Sequence, residues 1–187
     1  DEVREQAGAP ADRLLLGVDE KDLAPVAVDP DLEPHLLVLG DSGAGKSGVL
    51  RLLTQEIIRT RTPEQLRERS WWTGAELFVL VDDYDLVATQ QSSPVAALQP
   101  LLAQARDVGL HLTVARRAGG ASRALYEPVM QTLRDLAMPG LMLAGSPDEG
   151  PLLGNLRPVP GPAGRGRLVT RDRGVEVVQV AWADSAV

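Results

Sequence analysis

A chain of 187 residues is about one domain, long enough to bury a core unaided; it contains no cysteine, which excludes disulfide frameworks, cysteine-ligated zinc and thiol catalysis. Its formal net charge of −7 argues against a general nucleic-acid-binding surface. The lack of cysteine fits a cytosolic setting; no secretory signal opens the sequence and no run approaches the roughly 18 apolar residues that span a bilayer. The first residue is Asp rather than Met, and the expectation is a piece of a longer or processed polypeptide.

Residues 1–13 are polar with a proline and read as a linker, leaving 14–187 as the domain. The prolines and short apolar pairs of 14–34 suit an edge strand or hairpin. HLLVLGDSGAGKS (35–47) follows: an apolar strand that runs into a loop matching GxxxxGK[ST], with Gly40, Gly45, Lys46 and Ser47 at the fixed positions and Asp41, Ser42, Gly43 and Ala44 between them. GVLRLLTQEIIRT (48–60) carries Leu and Ile at helical spacing and completes a strand, loop and helix. Thr62, Pro63 and Glu64 read as the capped start of a short helix ending near Trp71 and Trp72, and these tryptophans are expected to pack it on the sheet.

ELFVLVDDYD (76–85) reads as a central parallel strand with acids at its C-terminal end, where ligands of open α/β sheets bind. SPVAALQPLLAQARDVG (93–109) predicts a helix stopped by Gly109, and LHLTVA (110–115) a third buried strand. A further helix over 118–140 is expected to break at Pro128, with Tyr126 and Met130 on one core-facing side, before the strand LMLAG (141–145). Residues 146–166 form a long loop rich in glycine and proline, and 167–183 a β-hairpin turning at Asp172 to Gly174. Alternating strands and helices predict an α/β fold with a mostly parallel central sheet flanked by helices, plus the C-terminal β-hairpin.

The loop's spacing has a chemical reason. A triphosphate is best held by inward-pointing amides at a helix N-terminus; glycines at 43 and 45 allow the backbone angles and close approach this needs. Lys46 would reach the β- and γ-phosphates, the Ser47 hydroxyl would ligate Mg²⁺, and Asp82 would support the metal shell, so ATP and Mg²⁺ are the expected cofactors. The trypsin-like reading of GDSG fails, because His35 on the entering strand cannot swing onto Ser42. His35 and His111, each at the entrance to a strand, are expected to be structural, and without cysteine they make no metal site.

HLLVLGDSGAGKS, FVLVDDYD and GLHLTVARR in this order resemble FtsK/SpoIIIE-type motor ATPases. With DLAPVAVD, PEQLRERSWWTG and GRLVTRDRGVEVVQVAW, the chain is similar over residues 14–183 to the C-terminal ATPase module of EccC, the type VII (ESX) secretion ATPase. The resemblance implies a RecA-like P-loop module, one of several in tandem and possible in a ring, with other ATPase modules as partners. It also implies a cytoplasmic place at the inner membrane within a secretion complex, and a small helical-hairpin, WXG-type secreted substrate read through its C-terminal signal. Two departures stand out. Where such motors have a catalytic glutamate this chain has Asp83, one methylene short, and where they have a Thr-Gln sensor of the γ-phosphate it has Arg116 and Arg117. A guanidinium cannot accept a hydrogen bond from water. The leading expectation is a module that holds ATP and hydrolyses it weakly or not at all. The alternatives are an active motor dependent on neighbouring modules, and a nucleotide-free docking platform. Arg59, Arg61, Arg67 and Arg69 are candidates for a finger reaching a neighbour's site, and Leu152, Leu153 and Leu156 for receiving an export signal.

Overall fold

The computed structural model describes residues 8, 10–60, 76–88 and 93–183. Strands β1 (Leu14–Asp19), β2 (Pro25–Val28), β3 (His35–Leu39), β4 (Leu77–Val81), β5 (Leu110–Arg116), β6 (Gly140–Leu143), β7 (Arg165–Thr170) and β8 (Gly174–Val180) form one sheet. Its order is β2-β1-β8-β7-β6-β3-β5-β4. The half containing β6, β3, β5 and β4 is parallel throughout, the arrangement the apolar runs predict, and two antiparallel hairpins extend it. The C-terminal hairpin is not an appendage: it lies between the parallel half and the N-terminal hairpin, with β7 on β6 and β8 on β1.

Helix α1 (Lys46–Thr60) covers one face, with Val49, Leu50 and Leu53 in an apolar cluster that includes Leu36, Val38, Ala115, Leu141 and Leu168. The other face is covered by shorter pieces: α2 (Tyr84–Val87), α3 (Gln99–Leu102), α4 (Ala105–Val108), α5 (Ala121–Ala124) and α6 (Pro128–Asp135). Their buried residues, among them Tyr84, Leu102, Leu125, Met130 and Leu133, close over Leu37, Leu39, Leu112 and Val114. Every residue of β3 is buried between the two layers, and burying one such aliphatic side chain contributes roughly 1.5–3 kcal/mol. Among the described residues no helix is long and apolar enough to cross a membrane.

Several expectations change. β4 pairs only with β5 and ends the sheet among the described residues, with Leu77 54% exposed, so it is an edge strand rather than a central one. The helix expected over 93–109 is three turns in succession, a 3₁₀ turn at Pro94–Leu98 followed by α3 and α4, because Pro100 has no amide to continue a ladder. Gly109, at φ 62°, does stop it. Tyr126 and Met130 do not share a face: Met130 is fully buried in α6 and Tyr126 lies 71% exposed before it. The helix expected from Thr62, the Trp71–Trp72 pair and Arg61, Arg67 and Arg69 lie outside the described residues.

Two buried polar residues tie layers together. The Glu56 carboxylate accepts from the Leu15 amide at 2.7 Å and from Arg59 Nε and Nη2 at 3.0 and 2.9 Å, which fastens the far end of α1 to β1. Arg59, a candidate finger for a neighbouring site, is engaged within its own helix here. His35 is structural, as expected. Its Nδ1 accepts from the Leu112 amide and its Nε2 donates to the Leu102 carbonyl, both at 3.1 Å. That pattern fixes one neutral tautomer, and burial, with His111 nearby, holds the ring below its ordinary 6.5. The unfolded chain therefore takes the proton first: the stability His35 contributes is complete above about pH 6.5 and is lost as pH falls below it. Melting temperatures across pH 5–8 are expected to drop on the acid side, and His35→Gln to flatten that drop; an unchanged slope in the variant would remove His35 as its cause.

Candidate functional site

The site is built where β3, β4, β5 and β6 end on the same side of the parallel half, as parallel pairing requires. Residues 40–45 leave β3, and α1 begins at Lys46 with the Val49 amide donating to the Gly45 carbonyl at 3.0 Å. The loop is held from outside. Gly40 bonds to both Arg116 and Ala118, and the Asp41 amide donates to the Ala144 carbonyl at 2.8 Å. Asp41 Oδ2 accepts from the Ser146 amide at 2.9 Å, and the Ala44 carbonyl from the Gly164 amide at 3.0 Å. None of these bonds uses the amides of Gly43, Gly45, Lys46 or Ser47.

Glycine is required at two of these positions. A Cβ on Gly45, whose φ is 103°, would stand 2.9 Å from the Gly164 amide nitrogen, and one on Gly40 would stand 2.8 Å from Leu143 Cβ. Lys46 is 7% exposed and turned back onto the loop, its Nζ 3.4 Å from the Asp41 carbonyl oxygen. Ser47 donates to Asp82 Oδ2 at 2.6 Å, so the loop's hydroxyl and the acid ending β4 meet directly across 35 residues of sequence. A hydroxyl and a carboxylate side by side are hard oxygen donors of the kind Mg²⁺ takes, together with phosphate and water oxygens. Among the described residues there is no cluster of three or more His, Cys, Asp or Glu that would hold a metal without such a ligand.

The other half of the site is arranged differently. Asp83 caps α2 in the left-handed region, at φ 46° and ψ 51°, and its amide donates to Asp82 Oδ1 at 3.0 Å. That conformation strains most side chains and is tolerated best by Asn and Asp among non-glycines. Arg116 ends β5 almost fully buried, its Nε donating to the Arg117 carbonyl at 3.2 Å, and burial pulls it below the ordinary arginine value. Arg117 is half exposed, but Asp85 holds it: Nε lies 2.7 Å from Asp85 Oδ2 and the Arg117 amide 3.3 Å from Oδ1. Burial would raise the Asp85 carboxyl, yet these two bonds keep it below its usual range, while the pair raises Arg117. Asp85 is the residue that sequence reasoning does not single out. It reads as the third acid of DDYD, and its partner is 32 residues away.

The structure thus brings Gly40 to Ser47 and Asp82 together in one place, puts Asp83 beside them, and draws Arg116 and Arg117 onto other partners. Leu152 and Leu153, expected on an open loop, belong instead to a small turn in which the Leu152 amide donates to the Leu156 carbonyl at 2.9 Å. Leu152 is 4% exposed.

No family model matches the chain. It is 41% identical to the ESX secretion system protein EccC of Thermomonospora curvata over 92% of this chain and 17% of that protein. It is 42% identical to EccC4 of the Mycobacterium tuberculosis ESX-4 system, over 91% of this chain and 18% of the relative. The chain therefore spans less than a fifth of the length of these curated relatives. The solved structure of T. curvata EccC ATPases 2 and 3, in complex with a signal sequence peptide, superposes with a TM-score of 0.87 at 40% identity, over 96% of this chain and 42% of that one. With strand, loop, helix and acid arranged on a fold that matches these ATPases, the chain belongs to the EccC ATPase family of ESX, or type VII, secretion systems.

Proposed function

We propose that this chain is a Mg·ATP-holding module of a type VII secretion ATPase, with weak or no hydrolysis of its own. The observation that carries the reading is the contrast across the site. The Ser47–Asp82 contact at 2.6 Å joins the groups a nucleotide-bound metal needs. Asp83, the shorter acid, sits in a strained cap, and Arg117 is tied to Asp85 where a sensor of the γ-phosphate would stand. Binding groups converge and hydrolytic groups do not, so the nucleotide acts mainly as a rigid part of the fold. Mass spectrometry of the purified chain for co-eluting nucleotide, with phosphate release measured on the same sample, tests this. Bound ATP with turnover near background is expected; absence of binding or turnover of several per second would sink it.

A second observation extends the reading to substrate. A cavity of about 580 Å³ lies among α5, α6 and the turn at 151–154, walled by Leu125, Leu133, Met138 and Leu153 and also lined by Arg134 and Arg171. An apolar pocket with cations among its walls suits one face of an amphipathic segment with an acidic residue nearby. The related fragment of EccC ATPases 2 and 3 was solved with a signal sequence peptide, which supports a signal-binding role in the family, and the apolar and cationic lining is the ground for assigning the export signal of a small secreted helical hairpin to this cavity. Leu153→Asp is expected to weaken binding of a labelled C-terminal signal peptide at least about tenfold, because it places a charge in an apolar wall, while leaving the rise in melting temperature caused by Mg·ATP unchanged. Fluorescence anisotropy reads the first and thermal melting the second. Equal peptide affinity in the variant would move the docking surface elsewhere.

A further inference from the structure

We propose that the cleft flanking the first half of the loop seats the nucleoside and does not read the base, so that the module accepts ATP and GTP nearly alike. This rests on the nucleotide reading above and adds a site and a specificity to it.

The direction comes from the sheet. β3 lies between β5, which leads to β4, and β6. The Ser47 hydroxyl and Asp82 carboxylate, which would hold a nucleotide-bound metal, meet on the β4 side of the loop, so the terminal phosphates would lie there. The rest of a nucleotide must then leave toward β6. On that side a cleft of about 440 Å³ opens, with Asp41 to Ala44 on one wall and the stretch after β6, notably Pro147, on another, together with Pro160 and Gly161. Its size falls within the roughly 300–1,000 Å³ of small-molecule sites, and pyrrolidine rings with bare backbone offer a base flat apolar contact.

What the walls lack is a code. Strong discrimination between bases needs buried donors and acceptors that the wrong base leaves unpaired, whereas apolar walls separate similar ligands weakly. Here the polar side chains already have partners. Asp41 Oδ2 accepts from the Ser146 amide, and Ser146 Oγ donates to Asp148 Oδ2 at 3.0 Å. Past Gly161 an adjoining hollow is lined by Arg165 and Arg167, whose guanidiniums are engaged by Glu20 and by the Arg157 carbonyl. The Ser42 hydroxyl remains, exposed on the loop itself.

The test separates this proposal from the reading beneath it. Titration calorimetry on the native chain with Mg·ATP, Mg·GTP and Mg·tripolyphosphate is expected to give ATP and GTP dissociation constants within about tenfold. Gly161→Phe then fills the cleft: a Cβ there would meet only Ala144 Cβ, at 3.8 Å, so the ring has room to enter. This variant is expected to weaken both nucleotides at least about tenfold and to leave tripolyphosphate, which needs only the loop, unchanged. GTP binding more than about 100-fold weaker than ATP overturns the proposal, as does Gly161→Phe that spares the nucleotides or weakens tripolyphosphate equally; in each case the nucleotide reading stands. If no ligand binds the native chain, the nucleotide reading falls and this proposal falls with it.

Discussion

Lys46→Ala is expected to erase the stabilisation that Mg·ATP confers on the native chain, and this should be the largest single effect at the site. A ligand at about 100 times its dissociation constant adds about 2.7 kcal/mol, which for a domain of this size raises the melting temperature by about 5–11 °C. The Lys46 ammonium holds the loop only through a long 3.4 Å contact to the Asp41 carbonyl, so it is free to turn toward phosphate. Its removal therefore deletes a mobile positive charge at the loop while leaving intact the external bonds of Gly40, Asp41 and Ala44 that shape it. The ligand-free melt should move little and the ligand-dependent shift should collapse to within about 1 °C. Thermal melting with and without Mg·ATP decides the matter: an undiminished shift in the variant would mean that nucleotide, if bound, is held elsewhere.

Asp83→Glu is expected to raise ATP turnover by about 10- to 100-fold over the native chain, because the added methylene carries the carboxylate about 1 Å farther toward the place of an attacking water. The gain opposes a loss. Asp83 sits at φ 46° and ψ 51°, where Asp is tolerated better than Glu, so the substitution should also cost on the order of 1 kcal/mol and lower the melting temperature by about 2–4 °C. The two effects have opposite signs and come from one atom group, which makes the pair diagnostic. Phosphate release assayed beside a Lys46→Ala, Asp83→Glu double variant removes background. A rate that does not move would place the hydrolytic defect at the end of β5, where Asp85 holds Arg117.

The parts of the molecule that were legible in sequence are those whose causes are local. Strand, glycine loop and helix over 35–60 announce themselves because backbone angles, a lysine and an apolar period all act within a few residues. Asp82 could be chosen for the same reason, as the first acid after an apolar run, and it lies where the Ser47 hydroxyl reaches it. What stayed hidden depends on partners far along the chain. An apolar run does not reveal that β4, among the described residues, has a strand neighbour on one side only. Glu56 is buried in α1 because it receives a β1 amide 41 residues away, which no local pattern reveals. The Asp85–Arg117 pair and the Gly164 amide on Ala44 are likewise products of the assembled sheet. Pro100 was a local signal of another kind: a proline within a helical pattern, which divides the stretch after residue 93 into turns.

The strand order also has a consequence for biosynthesis. Asp19 of β1 pairs with Val178 of β8, so a strand made early waits for a partner made roughly 160 residues later. At ribosomal speeds of about 5–20 residues per second that wait lasts about 8–30 s. Throughout it the β1 edge that β8 will cover stays open to other strands, and β6, made late in the wait, shows an open edge only until β7 follows. Slower elongation would lengthen the interval, so translation tempo is expected to affect the yield of correctly assembled protein.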